Sequence, residues 1–220
     1  ERWFPANKIV FTGNPIRQNI SLLQNNIVEI KNKALSTFNL VPHKPIVLVV
    51  GGSLGALTIN ESIINNLDYF VKNDIQLIWQ TGKWFFEKAK ERAAQIESSN
   101  IKVYEFIYEM EQVYSLADVI ISRAGAIAIS ELCIVGKPCI LVPSPNVSED
   151  HQTKNANALV TKSAAIMVKD VESREKLIGE LDKLINNKTL QQEMSANITR
   201  LGIRDADIRI VEQIELILNK

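Results

Sequence analysis

Between residues 46 and 168, short apolar, β-branched runs alternate with helical patterns, and such alternation builds βαβ units around a parallel sheet. Strands are predicted at Ile46–Val50, Ile75–Gln80, Ile101–Glu105, Val119–Ser122, Cys139–Val142 and Ala165–Val168. Helices are expected between them near 56–67, 83–97, 109–117, 126–135 and 151–161, long enough connections for right-handed crossovers that cover both faces of the sheet. An earlier strand, Lys8–Phe11, is predicted to run into Gly13-Asn14-Pro15-Ile16-Arg17, where Gly and Pro impose a turn. Beyond residue 170 the pattern is helical only, over 172–186, 188–199 and a last helix starting near Asp205. That last helix carries Ile208, Ile210, Val211, Ile214, Leu216 and Ile217, more apolar surface than a solvent-facing terminus needs. The tail is therefore expected to pack on the sheet or on a partner domain.

The 220 residues, 46% of them hydrophobic, suffice for a sizeable core. We read 1–220 as a single domain, with 1–15 a connector from a preceding half and 172–220 a helical tail; Glu1–Pro5 in particular reads as linker. Lys plus Arg and Asp plus Glu are equal at 25 each, so net charge provides no footprint for nucleic acid or an anionic membrane surface, and any polyanion must be recognised locally. Cys133 and Cys139 lie in apolar runs without metal-type spacing, which suits a reducing, cytoplasmic setting. No run approaches the roughly 20 apolar residues of a membrane span.

Val47-Leu48-Val49-Val50 followed by Gly51-Gly52-Ser53-Leu54-Gly55-Ala56 is a buried strand feeding a glycine turn that opens a helix. Glycine lets a ligand approach the backbone, and the first N–H groups of a helix, with its dipole, can receive phosphate. The spacing is not that of a dinucleotide fingerprint. Glycine also serves any tight strand-to-helix turn, and that plainer reading stays open for this element alone. A second such element follows Val119-Ile120-Ile121, where Ser122-Arg123-Ala124-Gly125-Ala126 leads into a helix carrying Ser130 and Glu131. From Ala126 to Val135 these two are the polar residues, so Glu131 is expected to be buried, where a carboxylate needs hydrogen-bond donors. A ribose diol would supply them; an internal partner, or exposure, is the alternative. The polar loop Pro143–Asp150 leads to His151-Gln152-Thr153-Lys154-Asn155-Ala156, side chains suited either to sugar hydroxyls or to ordinary helix capping. Asp205 and Asp207 are read as acidic residues at a helix start rather than metal ligands. His43 is read as a surface residue, and Trp79, Trp84, Phe85 and Phe86 as packing residues.

Taken in order, Thr12-Gly13-Asn14-Pro15-Ile16-Arg17, Gly51 to Ala56, Glu105-Phe106-Ile107, Ser122 to Ala126 with Ser130-Glu131, and Gln152 with Asn155-Ala156 resemble the MurG family. These are undecaprenyl-diphospho-muramoylpentapeptide β-N-acetylglucosaminyltransferases, and the likeness runs from about residue 8 to about residue 165. It implies a Rossmann-like α/β domain, the C-terminal half of a two-domain GT-B glycosyltransferase that converts lipid I to lipid II with UDP-N-acetylglucosamine as donor and no tightly bound cofactor or metal. By the same resemblance Ile107, with Phe106 close by, would meet the uracil and Glu131 the ribose. Ser53, the amides of a turn that includes Gly52 and Gly55, and Arg17 would hold the diphosphate. The second turn would contribute Arg123, Ala124, Gly125 and Ala126, with His151 and Gln152 at the sugar. The chain departs from the family's habit of two adjacent glutamines at His151-Gln152, of Ser-Gly at Ala124-Gly125, and of glutamine at Leu54. The resemblance further implies a general base and acceptor pocket in an N-terminal half, with contact to the cytoplasmic face of the bacterial inner membrane through the full-length protein. A separate UDP-sugar-binding subunit, a UDP-N-acetylglucosamine 2-epimerase and a dehydrogenase with a variant nucleotide turn are the competing readings.

Overall fold

Strand residues alternate between two cores, and this places the sheet between two helical layers. The computed structural model describes residues 4–219. The strands are β1 (Ile46–Val50), β2 (Gln76–Gln80), β3 (Ile101–Tyr104), β4 (Val119–Ser122), β5 (Cys139–Leu141) and β6 (Ile166–Met167). They form one parallel sheet in the order β3-β2-β1-β4-β5-β6. On β1, Ile46 and Leu48 face one core while Val47 and Val49 face the other; on β4, Ile120 faces the first and Val119 and Ile121 the second. Period-two alternation with both sides apolar is the pattern of a parallel sheet covered on both faces.

Four helices flank β1 in the chain, two before it and two after it: α1 (Gln18–Ser21), α2 (Ile27–Thr37), α3 (Leu57–Ile64) and α4 (Leu67–Lys72). Then come α5 (Phe86–Ile96), α6 (Met110–Leu116), α7 (Ala126–Val135) and α8 (His151–Val160), with α9 (Ser173–Ile185), α10 (Lys188–Thr199) and α11 (Ala206–Leu218) at the end. The residues buried on α3 and α9 join the core containing Val47, whereas those of α6 and α7 join the core containing Leu48. The helices that follow β1 and β4 therefore lie on opposite faces of the sheet.

The segment Lys8–Phe11 is not a strand. Ala6–Lys8 form a 3-10 turn, and Ile9, Val10 and Phe11 follow as exposed, unpaired chain. β-branched composition supports a strand only where a sheet edge is available for pairing, and the two edges here are β3 and β6. Of the connector at 1–15, residues 1–3 lie outside the described residues. The helix expected at 56–67 ends at Ile64, and a second begins at Leu67. Asn66 between them has φ −127°, outside the helical range, as expected of a side chain that competes for backbone hydrogen bonds. The tail does pack on the domain through α9, which lies against α3, and through α10, which lies against α7 and α9. Its last helix is different: on α11 only Ala206 is buried, and Ile208, Val211, Ile214, Leu216, Ile217 and Leu218 are exposed.

Trp79, fully buried on β2, donates its indole N–H to Asn60 Oδ1 at 3.0 Å, and Asn60 Nδ2 donates to the carbonyl of Thr81 at 2.8 Å. This chain of bonds ties α3 to the end of β2. Trp84 is exposed while Phe85 is buried against Trp79, and His43 lies on the surface. Cys133 and Cys139 are buried free thiols; burial pushes Cys133 up to about 11.

Candidate functional site

β1 and β4 are neighbours, with Val50 beside Ser122, so the two glycine turns leave the sheet side by side at its carboxyl edge. Because α3 and α7 then go to opposite faces, a crevice opens between the turns. This is the switch point of a doubly wound sheet, where ligands of such folds bind. A cavity of about 540 Å³ elsewhere on the surface lies along α3 and α5, away from both turns. The cavity at the turns measures about 520 Å³ and is lined by Gly51 to Thr58, Arg123, Ser144 to Asn146, Gln152 and Asp170.

The first turn is shaped by contact with a neighbouring loop. Gly55 (φ +82°) and Gly82 (φ +76°) bring two backbones together: a Cβ on Gly55 would lie 2.3 Å from the Thr81 carbonyl, and one on Gly82 would lie 2.2 Å from Gly55 N. Gly55 donates its own N–H to the carbonyl of Gly52 at 3.1 Å. Gly52, also at positive φ, and Gly125 in the second turn have open space where a Cβ would stand. Ser53 is exposed at the tip.

The second turn is gripped by α8. Gln152 Oε1 accepts from Ala124 N at 3.2 Å and from Ser144 N at 2.9 Å, and Asn155 Nδ2 donates to the Ala124 carbonyl at 3.0 Å. The Ala124 amide is thus used within the protein, which leaves Gly125 and Ala126 as the turn amides at the start of α7, where N–H groups have no intrahelical acceptor. Two acceptor bonds fix the orientation of the Gln152 amide, so its Nε2 donor group faces away from the turn. His151 turns back on its own loop, its Nδ1 lying 2.8 Å from the Ser148 carbonyl.

Arg123 braces the crevice. Nη1 donates to the carbonyls of Val142 (3.1 Å) and Pro143 (3.2 Å) and pairs with Asp170, while Nη2 reaches Thr58 Oγ1 at 3.3 Å. Thr58 Oγ1 also donates to Asp170 at 2.5 Å. The segments that follow β4, β5 and β6 are thereby linked to one another and to α3 beside the cavity. Asp170 and Thr58 give no sequence signal of this role, because each is an ordinary residue at a helix start.

Glu131 is buried, as its apolar surroundings on α7 imply. Its partners are internal: Arg17 Nε and Nη2 donate to Oε1 at 3.1 and 3.0 Å, and the Tyr114 hydroxyl donates to Oε2 at 3.0 Å. Asn14 Nδ2 donates to Ser130 Oγ at 3.0 Å, so the Gly13–Arg17 turn is seated on α7. Arg17 keeps 46% of its side chain exposed, whereas Glu131 keeps 7%. Burial, and then the charge of Glu131, push the Tyr114 phenol well above its ordinary value, so it stays a donor. Beside β3, Ile107 is buried and gives its N–H to Gln80 Oε1 at 2.9 Å. Phe106, 42% exposed, stands edge-on to the exposed Tyr108 at 4.9 Å. A polar residue closing the apolar run Leu77-Ile78-Trp79 was the available signal for Gln80.

A parallel sheet of this order, with two glycine turns at its switch point, is a Rossmann-like doubly wound domain, the architecture of each half of a GT-B glycosyltransferase. Residues 46–210 match the glycosyltransferase family 28 C-terminal domain, and the chain belongs to that family. Over the whole chain it is 50% identical to a protein of Cytophaga hutchinsonii and 46% identical to one of Parabacteroides distasonis. Both are named UDP-N-acetylglucosamine–N-acetylmuramyl-(pentapeptide) pyrophosphoryl-undecaprenol N-acetylglucosamine transferase. The chain spans 57% and 59% of these relatives' lengths. Among solved structures it resembles MurG of Acinetobacter baumannii (TM-score 0.70, 28% identity, 83% of this chain and 52% of that one). An S. aureus MnaA–UDP complex shares the fold at 18% identity (TM-score 0.70, 97% of this chain and 56% of that one).

Proposed function

We propose that this chain is the donor-binding part of an inverting glycosyltransferase that moves N-acetylglucosamine from UDP-N-acetylglucosamine to the C4 hydroxyl of lipid-linked N-acetylmuramoyl-pentapeptide, turning lipid I into lipid II. The observation that carries the reading is the adjacency of the two glycine turns, with a buried carboxylate on the helix that one of them opens. Open space over Gly52 and Gly125 lets a diphosphate come against the backbone of both turns. Glu131 lies five residues beyond the start of α7, about 7.5 Å along its axis, in reach of a ribose whose phosphates lie at the helix start.

Departure of UDP develops negative charge on the diphosphate. Fixed amides at both turns stabilise that charge without reorganisation, and Arg17, whose side chain is 46% exposed, adds a cation. The Ile107 carbonyl accepts from the uracil N3–H with Phe106 beside the ring. The Gln152 Nε2 group and His151 stand at the sugar side, and Arg123 holds the crevice open as a brace. The general base and lipid acceptor pocket belong to the remainder of the length seen in the relatives, as does contact with the cytoplasmic face of the inner membrane. The exposed apolar face of α11 packs on that remainder. No helix among the described residues is long and apolar enough to cross a membrane.

Calorimetric titration of the chain with UDP-N-acetylglucosamine, UDP-glucose and NAD tests the proposal. Binding of the first in clear preference to the second, and none of NAD, is expected. NAD binding without UDP-sugar binding would instead indicate a dehydrogenase, and release of the 2-epimer by the full-length enzyme without a lipid acceptor an epimerase. Glu131→Ala is expected to lower UDP affinity by about 1–3 kcal/mol, the scale of hydrogen bonds to a charged group; an unchanged affinity removes the ribose assignment.

A further inference from the structure

The hydrogen bonds at Glu131 constrain how a ribose could be accepted there. A carboxylate has about four acceptor directions. Arg17 Nε–H and Nη2–H occupy two of them on Oε1, and the Tyr114 hydroxyl occupies one on Oε2. One direction remains, but a ribose diol brings two donors. For both hydroxyls to bond this carboxylate, Arg17 has to give up one of its two N–H bonds as the nucleotide enters, and a guanidinium that moves on to the diphosphate gives up both. It is free to do so, because its side chain is 46% exposed. Tyr114 cannot follow, being 4% exposed on α6 and packed in the core. Once Arg17 has left, Tyr114 is the protein donor still on this carboxylate among the described residues.

We propose that Tyr114 is a positioning residue for nucleotide binding: its buried hydroxyl pins Oε2 of Glu131 while Oε1 passes from Arg17 to the ribose. The inference rests on the reading of Glu131 as the ribose acceptor. Without the phenol, the carboxylate loses its fixed rotamer at the moment the guanidinium departs, and a ribose hydroxyl then finds a mobile acceptor. With it, the exchange leaves Glu131 in place and releases Arg17 toward the diphosphate. The phenol is suited to this task because burial and the adjacent carboxylate keep its proton on.

The test compares UDP with 2′-deoxyuridine diphosphate on the wild-type chain and on Tyr114→Phe, by calorimetry. Wild type is expected to favour UDP by about tenfold or more, the scale of a hydrogen bond to a charged acceptor. In Tyr114→Phe the preference should shrink to within about twofold, through weaker UDP binding with the deoxynucleotide little changed. If both nucleotides weaken equally and the preference survives, Tyr114 supports the fold only and the proposal is overturned. A wild type that does not distinguish the two nucleotides removes the ribose reading of Glu131, and the proposal with it. Should Tyr114→Phe not fold, a crystal structure of the wild type with UDP decides. Tyr114 Oη and a ribose hydroxyl on the same carboxylate supports the inference, and a tyrosine turned away from Glu131 overturns it.

Discussion

Gly82→Ala lowers the unfolding free energy by about 2–5 kcal/mol, combining the cost of a side chain at positive φ with that of overpacking. The new methyl would stand 2.2 Å from Gly55 N and 2.5 Å from Gly55 Cα, atoms of a backbone that cannot swing aside as a side chain would. Relief requires moving the first glycine turn, so the variant is expected to lose UDP affinity together with stability. Urea unfolding and a UDP titration of the same preparation measure both effects. A variant as stable as its parent would show that the two loops do not meet as described.

Trp79→Ala is expected to cost about 3–5 kcal/mol, the range for emptying a buried aromatic site. Trp79 is fully buried, and its indole N–H is the donor to Asn60 Oδ1. Its removal leaves a cavity in the core on the α3 side and frees Asn60, whose Nδ2 otherwise holds the Thr81 carbonyl against the first turn. The same two measurements apply. Asn60→Ala separates the contributions: it breaks the link to Thr81 but leaves the indole packed, so it should destabilise less than Trp79→Ala. Equal losses would locate the whole effect in the hydrogen bonds rather than in the core.

The parallel sheet was legible in sequence because β1 and β4 are apolar, mostly β-branched runs followed by glycine turns, and both have the predicted bounds. β6 shortened to Ile166–Met167, since an edge strand has one neighbour to pair with. The helix α2 was not anticipated; Ile27, Ile30 and Ala34 have helical spacing, but the Asn-rich stretch before them gives no clear start. Burial of Glu131 followed from the apolar composition of α7. Its partners did not, because Tyr114 and Arg17 lie 17 and 114 residues away in sequence and only the fold unites them. The side chains that occupy backbone amides were equally hidden. Gln80 on Ile107 and Gln152 on Ala124 bridge separate elements, and nothing local in either stretch encodes the partner.

Amide chemical shifts recorded while UDP is titrated into the ¹⁵N-labelled chain test the central claim most directly. The amides of Gly52 and Ser53 and those of Gly125 and Ala126 are expected to shift together, along a single saturation curve. Shifts confined to one turn, or different curves for the two, would contradict a shared diphosphate site.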